Sequence, residues 1–232
     1  MSHELKISAT DGTGTFSAYV AYPEIDPAPA VVVIQEIFGV NKNLRDICQK
    51  LASEGYIAVC PDLFWRQQPG IDITDQTEAE WKRAFELFNG FNVDKGIDDL
   101  KSTLTQARTL PECSGKVGTL GYCLGGKLAY LMATRSDADC NIVYYGVGIQ
   151  DLLGESGNIK KPLLMHIAEK DGFVPADAQQ KIAAGLKDNK NVTMFTYAGM
   201  DHAFTRIGGK NYNKEAAAQA YVRTEDFLAK NL

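Results

Sequence analysis

Lys116-Val-Gly-Thr-Leu-Gly-Tyr-Cys-Leu-Gly-Gly-Lys127 is the stretch from which the rest of this chain can be read. Val117 and Leu120 form a short apolar lead, as a buried strand would. Leu128, Ala129, Leu131 and Met132 then recur with helical spacing. Between them, Gly121-Tyr122-Cys123-Leu124-Gly125 has the form of the G-x-S-x-G nucleophile elbow with cysteine in place of serine. Such a turn strains its apex residue and brings strand and helix close together, so the positions two before and two after must be small. Gly121 and Gly125 satisfy that. The apex also faces a helix N-terminus, whose free N–H groups and positive dipole end favour a thiolate or a developing oxyanion. A glycine-rich turn around an inert buried cysteine is the alternative, so the weight falls on partners elsewhere in the chain.

The partners follow in the order nucleophile, acid, histidine, which is the α/β-hydrolase order. Three histidines limit the search. His3 precedes any core. His166 lies inside the apolar run Pro162 to Ala168 and reads as a hydrogen-bonded core residue. His202 follows the strand-like Val192 to Tyr197, in the loop Gly199-Met-Asp-His-Ala-Phe204, where a general base belongs. Asp171, in Glu169-Lys-Asp-Gly-Phe173, is the preferred acid. Asp201, adjacent to His202, should point elsewhere, and Asp177 reads as part of a helix start.

A chain of 232 residues with 45% hydrophobic and 23% charged residues suits a single α/β domain spanning 1–232. A net charge of −5 without basic runs argues against nucleic acid. No apolar leader or membrane-length run is visible, so a cytoplasmic protein with no membrane partner is expected. Five cysteines (48, 60, 113, 123 and 140) at irregular spacing favour free thiols, and no cluster suggests a metal; no cofactor is expected. Strands are read at Glu4–Ala9, Thr15–Tyr22, Ala30–Gln35, Tyr56–Cys60, the elbow lead, Cys140–Tyr145, Pro162–Ala168 and Val192–Tyr197. Helices are read around Leu44–Leu51 and at Glu78–Asn89, Val93–Leu110, after the elbow, Ala176–Lys187 and Lys214–Lys230. Cys48 falls on the apolar stripe of the first helix. Trp81, Phe85 and Phe88 read as a core-facing stripe, with substrate lining as the alternative. The polar stretch Leu63–Thr77 is long for a connection and suits a substrate rim. The expected fold is a mostly parallel central sheet, helices on both faces, with an N-terminal antiparallel edge hairpin.

With these residues placed, the chain resembles the dienelactone hydrolase family of α/β hydrolases. The likeness rests on Gln35-Glu36-Ile37-Phe38-Gly39, Gly121-Tyr122-Cys123-Leu124-Gly125-Gly126, Ala168-Glu169-Lys170-Asp171 and His202-Ala203-Phe204. The resemblance implies hydrolysis of a carboxylic ester or lactone, typically dienelactone to maleylacetate. It implies Cys123, Asp171, His202 and Glu36 as catalytic residues, Glu36 taking part in forming the thiolate. The backbone N–H groups of Leu124 and Ile37 would hold the oxyanion. For a carboxylate-bearing substrate it implies Arg206, with Phe38, Trp81 and Arg83 also at the substrate. Trp81 stands where a second arginine is expected, which suits a bulkier or less charged ester. A broader esterase or thioesterase is therefore the first alternative, and a redox-sensor or binding protein on the same scaffold a distant one. A monomer or small homo-oligomer is expected.

Overall fold

The computed structural model describes residues 2–232, Met1 lying outside them. The chain divides into two compact units, Met1–Thr119 and Leu120–Leu232. Strand β5, Cys113–Tyr122, contains the division.

In the first unit the strands hydrogen-bond in the order β1-β2-β4-β3-β5. β1 (Ser2–Ser8) and β2 (Thr15–Ala21) form the expected antiparallel edge hairpin, Ile7 opposite Phe16. β2 alternates, with Phe16, Ala18 and Val20 buried, the period of a half-covered strand. It pairs antiparallel with β4 (Ile57–Pro61), and β4 runs parallel to β3 (Ala28–Ile34). β3 begins earlier than its apolar run suggests and takes in Pro29, because the Ala28 N–H finds the Glu112 carbonyl at 2.9 Å.

Side chains start the helices of this unit. Asn41 accepts from the Leu44 N–H ahead of α1 (Lys42–Ser53), Thr77 from Glu80 ahead of α2 (Glu78–Asn89), and Asn92 from Lys95 ahead of α3 (Val93–Arg108). α1 buries Leu44, Cys48 and Leu51, and α3 buries Ile97, Leu100 and Leu104, as their spacing predicts. On α2 the expectation of a core-facing aromatic stripe is overturned. Ala84 and Leu87 are its buried residues, while Phe85 is exposed and Trp81 and Phe88 are half-buried. Size and hydrophobicity misled the reading: a narrow stripe of smaller residues faces inward, and the broad rings lie beside it.

The polar stretch 62–77 is tied down by two buried carboxylates. Asp62 accepts from the N–H groups of Phe64 (3.0 Å) and Gly70 (2.7 Å). Asp99 accepts from both Arg66 Nε and Nη2 (2.9 and 2.7 Å) and from Trp65 Nε1 (2.9 Å). A charged, hydrogen-bonded clamp of this kind holds an irregular segment in one conformation without a core of its own.

In the second unit the order is β5-β6-β7-β8. β6 (Asn141–Tyr144), β7 (Leu163–Ala168) and β8 (Val192–Tyr197) are parallel and nearly all apolar in β6 and β7. α4 (Leu124–Arg135) follows β5, α5 (Ala176–Leu186) lies between β7 and β8, and α6 (Lys214–Asn231) closes the chain. Two short 3-10 segments, Ile149–Asp151 and Leu153–Asn158, occupy the connection after β6.

Candidate active site

The elbow is as sharp as its glycines imply. Cys123 has φ 55° and ψ −114°, in a region L-residues rarely adopt. Its N–H donates to the Tyr144 carbonyl (3.1 Å), and its carbonyl accepts from Lys127 (3.1 Å) and Val147 (3.4 Å), so backbone bonds on both sides hold the strained residue. A Cβ at Gly121 would lie 1.9 Å from the Gly125 oxygen, so no other residue fits there. Gly126, which the spacing argument left aside, is equally constrained: its Cβ would lie 2.8 Å from both Gly146 Cα and the Tyr144 oxygen. No side chain caps α4 and no acid stands in its first turn, so the positive helix end next to Cys123 is not neutralised from within the helix.

Asp171 and His202 lie in the loops that leave β7 and β8. Both are buried, and Asp171 Oδ2 is 2.9 Å from His202 Nδ1. Asp171 Oδ1 accepts from the Phe173 N–H at 2.9 Å, which fixes the carboxylate plane. The imidazole is flanked edge-on by Tyr145 (centroids 5.1 Å apart) and Phe173 (4.8 Å). Its Nε2 is buried and has no hydrogen-bond partner in directed geometry among the described residues. Burial alone would lower the His202 pKa. The interaction with Cys123, together with the bonded Asp171 carboxylate, outweighs it and pushes the value up to about 10. A cysteine beside an imidazole that is held by a carboxylate brings together the groups needed for nucleophilic attack and proton transfer.

The other candidates divide cleanly. His166 is a buried core residue, its Nδ1 2.7 Å from Tyr197 Oη and its Nε2 3.0 Å from Thr224 Oγ1. Asp177 stands in the first turn of α5. Asp201 points away from the imidazole and accepts backbone N–H groups instead. Arg206 is buried in the His202 loop. Tyr145 was not singled out from the sequence. It is one of three non-glycine residues with positive φ among the described residues (38°), the others being Cys123 and Ala203 (62°). All three cluster around the His202 loop and the elbow. The only signal in the sequence was its place between a strand and Gly146, which many ordinary loop residues share.

Among the first unit's candidates, the Glu36 side chain and the Ile37 and Phe38 side chains are buried. Gly39 (φ 77°) lets the loop press against the 71–73 segment: a Cβ there would lie 2.0 Å from the Ile71 oxygen, and the Ile73 N–H donates to the Phe38 carbonyl. Phe38 meets Trp81 edge-on at 5.2 Å, and Trp81 stacks on Phe85 at 5.6 Å while its Nε1 donates to the Asp75 carbonyl. Arg83 is engaged by Gln68 (2.6 Å) and Glu86 (3.1 Å).

A strained apex after a strand, followed along the chain by an acid and a histidine at the ends of later parallel strands, defines an α/β-hydrolase fold. Residues 16–232 match the dienelactone hydrolase family model. A carboxymethylenebutenolidase of Pseudomonas putida is 40% identical over 99% of this chain and 97% of its own length. A provisionally named carboxymethylenebutenolidase of Azospirillum brasilense is 51% identical, covering 99% of both chains. The crystal structure of a provisionally assigned dienelactone hydrolase from Klebsiella pneumoniae aligns at a TM-score of 0.85 and 27% identity, over 99% of this chain and 98% of that one. The chain belongs to the dienelactone hydrolase family and is a carboxylic ester hydrolase acting on a small-molecule ester or lactone. Among the described residues no helix is long and apolar enough to cross a membrane, and no group of three or more His, Cys, Asp and Glu side chains is placed to hold a metal ion.

Proposed function

We propose that the enzyme works through a Cys123 acyl-enzyme, with dienelactone or a related carboxylate-bearing lactone as substrate. The observation that carries this reading is the strained Cys123 beside a buried His202 bonded to Asp171. The Cys123 thiolate attacks the carbonyl carbon, forming the C–S bond and a tetrahedral oxyanion. Collapse breaks the C–O bond, and His202 gives its proton to the leaving oxygen. Neutral His202, oriented by Asp171, then takes a proton from water as the water attacks the thioester, and Cys123 leaves as thiolate. On the family resemblance, the Leu124 and Ile37 N–H groups are assigned to the oxyanion and Glu36 to the thiol proton. Arg206 is assigned to the substrate carboxylate, and Phe38 and Trp81 to its apolar part. Arg83 is the weaker candidate, because Gln68 and Glu86 already hold it.

One observation favours a second reading. Trp81 packs with Phe38 and Phe85 in an aromatic cluster, and on the family resemblance it stands where a second carboxylate-binding arginine is expected. That suits a neutral, bulkier ester. Steady-state hydrolysis of dienelactone beside a neutral aryl ester separates the two, with wild type and Arg206→Ala compared and Cys123→Ala as the inactive control. The lactone reading predicts a strong preference for dienelactone and a KM raised about 10- to 150-fold in Arg206→Ala, the loss of a charged hydrogen bond worth about 1.5–3 kcal/mol. Preference for the neutral ester with little effect of Arg206→Ala selects the second reading.

A further inference from the structure

β7 and β8 stay in parallel register to their last pair, Ala168 opposite Tyr197. Beyond it the chain continues as two loops, one carrying Asp171 and the other, after a longer run, His202. The loops are laced by successive hydrogen bonds. The Glu169 N–H donates to the Tyr197 carbonyl (3.1 Å), the Gly199 N–H to Glu169 Oε2 (2.8 Å), and the Lys170 N–H to the Met200 carbonyl (2.7 Å). The next tie is made by a side chain: the Gly172 N–H donates to Asp201 Oδ1 at 3.2 Å. The same oxygen accepts from the His202 N–H at 2.6 Å. A single carboxylate oxygen therefore grips the peptide just beyond Asp171 and the peptide of His202 itself.

We propose that Asp201 is a positioning residue, whose carboxylate sets the spacing between the Asp171 carboxylate and the His202 imidazole. The proposal rests on the catalytic reading of Cys123, Asp171 and His202 given above. The bonds of Asp201 among the described residues go to backbone N–H groups, while Asp171 bonds the imidazole, so Asp201 acts through the loops it joins. The need for it is physical. The His202 segment is neither helix nor strand, and Ala203 directly after it is in the left-handed region. Its peptide is held at one end by Asp201 and at the other by Asn211, whose Nδ2 donates to the His202 carbonyl at 2.9 Å. Removing the first grip frees the histidine to rotate about the second. A general base out of line slows the steps it serves while substrate binding is unchanged.

The test is steady-state kinetics on a neutral aryl ester with Asp201→Ala, Asp201→Asn and Cys123→Ala, well below the melting temperature of each. Asp201 is exposed, so neither of its variants disturbs the core. Asp201→Ala is expected to lower kcat about 10-fold with KM unchanged, within the penalty for sub-ångström misplacement of a catalytic group. Asp201→Asn keeps an oxygen acceptor in place and is expected to recover most of that loss. Wild-type kcat in Asp201→Ala overturns the proposal, as does a loss confined to KM or an equal loss in Asp201→Asn. Retained turnover in Cys123→Ala instead overturns the catalytic reading, whatever the Asp201 variants do.

Discussion

His166 and His202 are both buried imidazoles, one within β7 and the other just beyond the end of the adjacent strand β8, yet their protons are held in opposite ways. His166 faces hydroxyl groups, Tyr197 Oη and Thr224 Oγ1, with Tyr144 packed at 4.3 Å between centroids. Burial lowers its pKa to about 3, and the positive charge of Arg223 adds to the shift. His202 suffers similar burial but faces Cys123 and Asp171, and its pKa rises to about 10. Burial is thus common to both, and the sign of the shift is decided by what the ring meets: neutral dipoles leave the desolvation cost uncompensated, whereas anions reverse it. On the proposed reading, the same side chain serves packing in one place and proton transfer in the other.

The strongest way to break this contrast is to remove the Cys123 sulfur. On the proposed reading, Cys123→Ala should reduce turnover by about 10⁴-fold or more, as loss of a nucleophile does. It should also move His202 toward ordinary histidine behaviour, a fall of roughly 1–3 units for a lost contact charge, read from an NMR titration of the imidazole. An unmoved titration would mean that the Cys123 charge does not raise it.

A smaller effect concerns stability. The folded-state pKa of His166 lies below the ordinary value, so the unfolded chain takes up this proton first. Its contribution is complete above about pH 6.5 and is lost as pH falls toward 3, by an amount on the order of 4 kcal/mol. His202 has the opposite sign: its contribution is complete below about pH 6.5 and is lost as pH rises through about 10. Urea unfolding at pH 7 and pH 4 should therefore show an acid loss that His166→Gln, which keeps a donor and an acceptor, largely flattens. An identical slope in that variant would assign the acid sensitivity to other groups.

The smallest effect sharpens the cause. Arg223 lies over Phe195 at 4.0 Å from the ring centroid, and its charge is the second contribution at His166. Arg223→Ala should raise the His166 titration only slightly, by about half a unit or less for a partly solvated charge, and should cost about 0.5–1 kcal/mol in the lost cation–π contact. A shift as large as that caused by burial would reverse the ranking of the two causes.

Much of this was legible from local pattern. The apolar runs of β3, β4 and β7 and the stripes of α1 and α3 predicted the elements that form, because period and hydrophobicity act locally. The elbow was legible through Gly121, where a Cβ would clash with the Gly125 carbonyl and leaves glycine as the sole solution. Asp171 could be preferred over Asp201 as a candidate from adjacency alone, and it is Asp171 that lies 2.9 Å from His202 Nδ1. The α2 stripe was misjudged because ring size does not say which face is covered. The parts Asp62, Asp99 and Asp201 play in tying loops were not legible, because each bonds partners set by the folded path of a loop, and a carboxylate in a polar stretch looks like any solvated acid.

Chain order and residue type alone thus determined the fold class and brought forward Cys123, Asp171 and His202 as candidates, because these depend on periodicity, glycine sterics and the few side chains able to do the chemistry. Only the tertiary structure decided which histidine meets anions, which carboxylate bonds the imidazole and which merely grips backbone. Those outcomes turn on distances of about 3 Å between residues some thirty positions apart in the chain, over which a hydrogen bond is made or lost.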